Sequence, residues 1–185
     1  MEPDKLTPEE KENLLKLARA SIEKRLLGET KIEVKTDFPI FNEKRAAFVT
    51  LHIHGNLRGC IGQIIATNKL VDTIREMAVS AAFGDPRFPA LTKKEYSEID
   101  VEISVLTPIQ EIESWKEVQI GVHGIIISKG YYKGLLLPQV ATEYGWDSET
   151  FISHGCMKAG LPRDEYKRGV KIEIFAANVF GEKER

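Results

Sequence analysis

The sequence of 185 residues lacks the features typical of disulfide-rich, membrane-spanning and nucleic-acid-binding proteins. Its two cysteines, Cys60 and Cys156, are far apart and lack CxxC or zinc-type spacing, which argues against a disulfide framework. No apolar run reaches the roughly 18 residues that a membrane-spanning helix needs. The formal net charge is only −2, so no overall basic field favours nucleic acid binding. The charged N-terminal residues are unlike a signal peptide, so we expect a cytoplasmic protein without membrane contact.

What is present is typical of a folded domain. Hydrophobic residues make up 42% of the chain and charged residues 29%, with many Lys and Glu residues of the kind found in thermophile proteins. Helical and strand periodicities are intermixed without a regular βαβ order, which predicts an α+β fold with a mainly antiparallel sheet flanked by helices. We expect one domain spanning residues 1–185, with a smaller glycine-rich lobe at about 108–140.

A predicted hairpin contains the most unusual stretch of the chain. A strand with period two runs from Ala46 to His54, and Gly55-Asn56 is a two-residue turn signal. With that turn, Leu51 pairs with Cys60, so Cys60 is predicted on the apolar face of the hairpin. The two histidines of the first strand then lie on the opposite face (His52, His54). A change of one residue in the loop would invert this assignment.

Cys60 and Arg58 are the first candidate site residues. A thiol becomes a nucleophile when a neighbouring cation or histidine stabilises its thiolate, and Arg58 is two residues from Cys60. The alternative is that Cys60 is a small packed core residue. An arginine on an apolar face needs an anionic partner, which is either Asp85 or a carboxylate or phosphate of a ligand.

Four further residues are candidates for binding a ligand. Gly59 and Gly62 could present backbone N–H groups, although their spacing is no phosphate-loop motif. Asp85 and Arg87 lie in a stiff loop between prolines, which forms either a site wall or a local ion pair. The paired histidines of the first strand lack a third ligand at metal spacing, so no metal site is predicted.

The stretch Leu57-Arg58-Gly59-Cys60-Ile61-Gly62 resembles the signature of the AMMECR domain family. Four further stretches agree with that family in order, and the resemblance spans about residues 10–180. These stretches are Asp85–Pro89, Val101–Leu106, Gly134–Val140 and Cys156–Leu161.

The resemblance implies a two-lobed α+β fold with the signature near a cleft between the lobes, in an archaeal or bacterial single-domain member. Microbial relatives occur beside, or fused to, Memo-like and radical-SAM proteins, which implies a shared pathway. The resemblance specifies neither a cofactor nor a reaction.

Two function hypotheses follow from these observations. The first is a cytosolic small-molecule-binding protein or enzyme, with a cleft around Arg58, Gly59 and Cys60 and with Cys60 as nucleophile or ligand contact. The alternative is a non-catalytic module that binds a partner protein, in which Cys60 is only packed. Nucleic acid binding is disfavoured by the net charge.

Overall fold

A computed structural model describes residues 6–183 of the chain. Within that range it contains five α-helices and two four-stranded antiparallel sheets, which confirms the predicted α+β class. The helices are α1 (Pro8–Leu27), α2 (Leu70–Phe83), α3 (Lys93–Tyr96), α4 (Pro138–Glu143) and α5 (Ser148–Lys158). The strands are β1 (Ala47–Ile53), β2 (Asn56–Gln63), β3 (Ile99–Leu106), β4 (Gln110–Ile112), β5 (Gly124–Lys129), β6 (Tyr132–Leu136), β7 (Lys171–Phe175) and β8 (Ala177–Gly181). Short 3-10 turns occur at Pro39–Asn42, Trp115–Glu117 and Glu165–Lys167.

The chain divides into two compact units. Among the described residues, the larger unit comprises 6–106 together with 178–183, and the smaller unit comprises 107–177. The stretch at about 108–140, predicted as a glycine-rich lobe, lies within the smaller unit. No helix among residues 6–183 is long and apolar enough to cross a membrane.

The sequence predicts capping boxes at Thr7-Pro8-Glu9-Glu10 and Thr92-Lys93-Lys94-Glu95 and a helix end at Gly28, and all three form. Glu10 N donates to Thr7 Oγ1 at 3.3 Å, and Thr7 N donates to Glu10 Oε2 at 2.8 Å, so both halves of the capping box form. Gly28 ends α1 with a φ of 87°, a conformation that favours glycine. The sequence predicts Asn68 as the cap of α2, but Lys69 is the residue that precedes its first turn.

The larger unit is a sheet with helices packed on one face. Its strand order is β2-β1-β3-β8, and the core side chains of α1 and α2 pack with those of the strands. Burial of this kind is the main favourable term in folding. The largest fully buried side chains of this core are Leu14, Ile22, Phe41, Leu51, Leu70, Ile74, Ile99 and Ile103.

The register of the β1–β2 hairpin differs from the prediction. His54 and Gly55 form the turn with φ values of 51° and 83°, as a type I′ turn requires, so the turn starts one residue earlier than expected. A bulge then leaves Arg58 as the extra residue of β2, because Leu51 pairs with Gly59 and the next residue of β1 pairs with Leu57. The predicted pairing of Leu51 with Cys60 is therefore wrong.

The smaller unit has its own sheet and its own core. The strand order is β4-β7-β5-β6, and α5 packs on β5 and β6 around the buried ring of Phe151. The sequence pattern from about Val170 to Val179 predicts a single final strand, and this prediction is wrong, because β7 and β8 belong to different sheets. Ala176 separates them, and Thr107 is bonded to it twice: Thr107 N donates to Ala176 O, and Ala176 N donates to Thr107 Oγ1, both at 2.9 Å.

Candidate functional site

Cys60 lies on β2 of the larger unit and is a partly exposed residue. Its direct cross-strand neighbour is Thr50 of β1, whose Oγ1 donates to Cys60 Sγ at 3.2 Å. The backbone N–H of Cys60 donates to Asp85 Oδ2 at 2.9 Å. Cys60 is thus held at two points, with its sulfur accepting a hydrogen bond from Thr50 and its backbone N–H donating one to Asp85.

Asp85 and Arg87 form the local ion pair that was one of the two predicted alternatives. Asp85 is 4% exposed, and its carboxylate accepts from Arg87 Nε at 3.0 Å, Arg87 Nη2 at 2.7 Å and Arg87 N at 3.1 Å. The Arg87 guanidinium, against burial and helped by the N–H groups of Cys60 and Arg87, holds the pKa of Asp85 well below its usual range. A deeply buried carboxylate is tolerated because its oxygens are satisfied by this charged partner.

Arg87 also contacts the signature strand directly. Its Nη2 donates to the carbonyl oxygen of Cys60 at 3.2 Å, and its side chain remains 54% exposed. Its hydrogen bonds use N, Nε and Nη2, and none of those described uses Nη1. The exposed cation beside Cys60 is therefore Arg87.

Arg58 is buried, and its anionic partner is Glu95, so the predicted pairing with Asp85 is wrong. Arg58 is 7% exposed, and its Nε and Nη2 donate to the two carboxylate oxygens of Glu95 at 2.8 and 3.2 Å. Its Nη2 also donates to Pro89 O at 2.9 Å, while Nη1 is buried without a partner among the described residues. Arg58 thus links β2 to α3 and to the loop before it.

Glu95 is the site residue that the sequence analysis missed. It is the third helical residue of the predicted capping box on α3, and Thr92 N donates to its Oε2 at 2.9 Å. The Arg58 guanidinium, opposed by partial burial and assisted by Thr92, lowers the pKa of Glu95 to about 2. The capping-box pattern identified the residue but gave no sign of its second partner, 37 residues away.

The two glycines of the signature allow close packing. A Cβ on Gly59 would lie 2.2 Å from the carbonyl oxygen of Ala81, so this strand residue lies directly against the backbone of α2. A Cβ on Gly62 would lie 2.2 Å from the ring of Phe48 across the hairpin. Both positions exclude any side chain for steric reasons. Their predicted contribution of N–H groups to an anion stays a prediction.

The register places further polar residues on the same sheet face as Cys60. Thr50 pairs with Cys60 on one side and with Glu102 of β3 on the other, so these three residues form one row. His52 and Asp100 are paired in a neighbouring row of that face. We call the surface formed by these five residues the Cys60 face. The structure therefore places His52 on the same sheet face as the thiol, whereas the predicted register places it on the opposite face.

Other candidates from the sequence lie elsewhere. His54 is exposed at the turn, and its Nε2 lies 3.1 Å from Glu98 Oε2. Cys156 is fully buried in the smaller unit, where burial raises the pKa of its thiol. His154 stacks on Trp146 with ring centroids 3.8 Å apart. Within residues 6–183, no group of three His, Cys, Asp or Glu side chains has the geometry of a metal site.

Comparison with known proteins identifies the family of this chain. The family model AMMECR1 matches residues 15–180, which include the signature strand, the Asp85 loop and both sheets. The chain belongs to the AMMECR1 family. The resemblance noted from the signature stretch is thereby confirmed.

Archaeal relatives share this AMMECR1 domain over nearly its whole length. A protein of Methanothermobacter thermautotrophicus is 46% identical over 96% of this chain and 96% of its own. A protein of Methanocaldococcus jannaschii is also 46% identical, over 97% of this chain and 93% of its own. The crystal structure of an uncharacterised protein from Pyrococcus horikoshii has a TM-score of 0.76 at 40% identity, covering 92% of this chain and 90% of that one. At this identity and TM-score the two chains share the fold.

Proposed function

We propose that this AMMECR1-family protein binds a small anionic molecule beside Cys60 and Arg87 and that the Cys60 thiol contacts the ligand as a nucleophile. The observation that carries the proposal is the thiol of the partly exposed Cys60, which accepts a hydrogen bond from Thr50 at 3.2 Å while the backbone of Cys60 is fixed by Asp85 and Arg87. Holding the Cys60 side chain in one position by hydrogen bonds costs conformational entropy. A residue that only fills space in a core does not need those hydrogen bonds. Because both cysteines are free thiols, we place the protein in the cytoplasm, where thiols stay reduced.

Arg87 supplies the positive charge in this proposal. Half of its side chain is exposed, and its Nη1 has donors that no described hydrogen bond uses. A guanidinium in that position suits a carboxylate or phosphate of the ligand. Asp85 orients Arg87, and Arg58 supports the strand through Glu95. Gly59 and Gly62 let β2 lie close to its neighbours, which sets the position of the thiol.

If Cys60 acts as a nucleophile, its thiol proton must be transferred to a neighbouring group. Attack of Cys60 Sγ on an electrophilic carbon forms an S–C bond and breaks the bond from that carbon to its leaving group, which departs with the electron pair. The S–H bond also breaks, so the thiol proton must be accepted by another group. His52 lies on the same sheet face, and a neutral imidazole is the side chain best suited to accept a proton near neutral pH. Thr50 would stabilise the developing thiolate through the hydrogen bond it already donates.

Paired alkylating reagents test this proposal. Iodoacetate and iodoacetamide are of similar size and both alkylate sulfur by displacement of iodide, but only iodoacetate carries a negative charge. We expect Arg87→Gln to lower the ratio of the iodoacetate rate to the iodoacetamide rate at Cys60 several-fold, because the local cation is lost. The rates are measured by mass spectrometry on the folded protein, with Arg168→Gln in the smaller unit as the matched control. Equal ratios in all three proteins would contradict the proposed anion site. Labelling of Cys60 only after denaturation would contradict its role as a nucleophile.

A second candidate function, binding of a partner protein, is favoured by the aromatic surface of the smaller unit. Tyr144 is 68% exposed and stacks on Trp146 at 4.9 Å, and Trp146 in turn stacks on His154. Met157 is exposed one turn after His154. Tyrosine, tryptophan and methionine are enriched at protein interfaces.

The partner proposed for this aromatic surface is a Memo-like protein, which follows from the gene neighbourhoods implied by the family resemblance. Biolayer interferometry with the purified Memo-like protein from the same genome measures that binding. We expect Tyr144→Ser to weaken it at least tenfold, with Tyr131→Ser as a matched exposed control. Equal affinity of the wild-type protein and both variants would exclude this surface as the binding site.

A further inference from the structure

A groove on the larger unit, away from the Cys60 face, has an apolar floor and a cationic rim. It lies between the second half of α1, the middle of α2 and the extended segment of residues 29–38, and its volume is 680 Å³. That volume is within the range of small-molecule sites. We call it the α1–α2 groove. Its lining residues are Leu17, Ala20, Ser21, Lys24, Arg25, Gly28, Thr30, Ile32, Val34, Thr36, Arg75 and Val79.

The extended segment is held over α1 by bonds at both ends. Thr30 Oγ1 donates to the carboxylate of Glu23, and Lys35 N donates to Asn13 Oδ1 at 2.9 Å. Between these bonds the exposure of the side chains alternates, with Ile32 and Val34 turned inward and partly buried. The segment is therefore one fixed wall of the groove, and aliphatic side chains form its inner surface.

The charges of the lining are all of one sign. Lys24, Arg25 and Arg75 contribute three cations, and the lining contains no Asp or Glu, although the whole chain carries a net charge of −2. Lys24 and Arg25 lie in the last turn of α1, where cations stabilise the helix dipole. Arg75 lies within α2 and pairs with exposed Asp72 at 3.0 Å, so the dipole does not explain its place at the rim.

From this arrangement we infer that the α1–α2 groove binds a single-chain amphiphilic carboxylate, with the aliphatic chain on the floor and the carboxylate at the cationic rim. Aliphatic chains gain by leaving water for such a floor, and guanidinium and ammonium groups bind carboxylates by charge-assisted hydrogen bonds. Thr36 adds a further hydroxyl group to the lining, whereas the hydroxyl groups of Ser21 and Thr30 already donate to Leu17 O and to Glu23. This inference is independent of the ligand proposed for the Cys60 face.

A neighbouring groove on the other side of α1 provides the matched comparison. Its volume is 490 Å³, and its lining includes Lys11 and Lys16, but also the carboxylates of Glu12 and Glu182. The two grooves therefore differ mainly in their charge balance. A double charge reversal, Lys24→Glu with Arg25→Glu, can be compared with Lys11→Glu with Lys16→Glu, which changes the net charge by the same amount.

Isothermal titration calorimetry with decanoate below its micellar concentration tests the inference. We expect one site, an affinity that rises up to about fourfold for each methylene from octanoate to decanoate, and no binding of decyltrimethylammonium. The Lys24→Glu, Arg25→Glu variant should bind about tenfold more weakly, because repulsion replaces attraction, and the Lys11→Glu, Lys16→Glu variant should bind like wild type. Ser21→Phe, which fills the groove from its rim, should also weaken binding, with circular dichroism confirming that each variant is folded.

Three outcomes would overturn the inference. One is the absence of decanoate binding to the wild-type protein. Another is loss of affinity in the Lys11→Glu, Lys16→Glu variant alone, which would assign the ligand to the neighbouring groove. The third is co-sedimentation with anionic phospholipid vesicles without binding of monomeric decanoate, which would assign this surface to membranes.

Discussion

Arg58 donates hydrogen bonds to both carboxylate oxygens of Glu95, at 2.8 and 3.2 Å, while the same carboxylate completes the capping box of α3. A bulged strand residue is thereby tied to the start of a helix. Because Arg58 is buried, its charge depends on that single carboxylate together with the carbonyl of Pro89. The pair thus supports the strand that carries Cys60.

Replacing Glu95 should therefore cost more than the loss of a helix cap. We expect Glu95→Gln to lower the free energy of unfolding by about 3 kcal/mol, because a buried guanidinium loses its counter-charge. Thr92→Ala, which removes the cap hydroxyl but leaves the ion pair, should cost about 1 kcal/mol. Urea denaturation of both variants gives the comparison. Equal losses would mean that Arg58 gains nothing from Glu95.

Gly59 should not tolerate even a methyl group. We expect Gly59→Ala to destabilise the larger unit by about 2–3 kcal/mol, because the new Cβ would overlap the backbone oxygen of Ala81 at 2.2 Å. Gly181→Ala in β8 is the control, since its nearest atom would lie 3.3 Å away. Thermal unfolding monitored by circular dichroism measures both variants. A Gly59→Ala protein as stable as the control would contradict the close approach of β2 and α2.

The lowered pKa values of Asp85 and Glu95 predict that the protein loses stability in acid. The folded pKa of Glu95 is about 2, well below its ordinary value, and the pKa of Asp85 is also lowered, so the unfolded chain binds these protons first. The contribution of these two carboxylates to the free energy of unfolding is complete above about pH 5 and is lost as the pH falls from about 4 toward 2. Urea titrations between pH 2 and 7 should show that slope. Glu95→Gln should flatten it, and an unchanged slope in that variant would refute the assignment.

His123 predicts a separate transition nearer neutral pH. It is 2% exposed in the smaller unit, and burial lowers its pKa, so the unfolded chain takes up a proton before the folded one does. Stability should be complete above about pH 6.5 and fall below it.

Urea titrations from pH 5 to 8 measure this limb at His123. The variant His123→Asn should remove it, since an amide oxygen can replace Nδ1 as the acceptor for the N–H of Gln119. His54→Gln, at an exposed turn, should leave the limb unchanged. The opposite pattern in the two variants would place the transition elsewhere.

Features set by a few neighbouring residues could be predicted from the sequence. The capping boxes at Thr7 and Thr92 and the helix end at Gly28 form as predicted, because caps and left-handed glycines follow local rules. The hairpin register could not be predicted, because either Gly55-Asn56 or His54-Gly55 satisfies the sequence rules for a turn. That choice decides which side chains share a face with Cys60.

The candidate site shows the same division between local and distant partners. Asp85 and Arg87 pair within one loop, an alternative that their spacing already contained. Arg58 and Glu95 meet only because β2 and α3 are brought together in the folded unit, so spacing alone assigned Arg58 the wrong carboxylate. A capping residue with a free carboxylate oxygen is the kind of signal that can be checked for a second, buried partner.

The position of Ala176 has a consequence for the order of synthesis. Residues 107–177 form the smaller unit, and only after them does the chain supply β8 to the sheet of the larger unit. A ribosome therefore releases the whole smaller unit before the last strand of that sheet exists. Until Glu182 arrives, Arg19 lacks the carboxylate that it binds in the finished protein, and the N–H of Val101 lacks its acceptor. The larger unit of a nascent chain must wait in an unfinished form that chaperones can recognise.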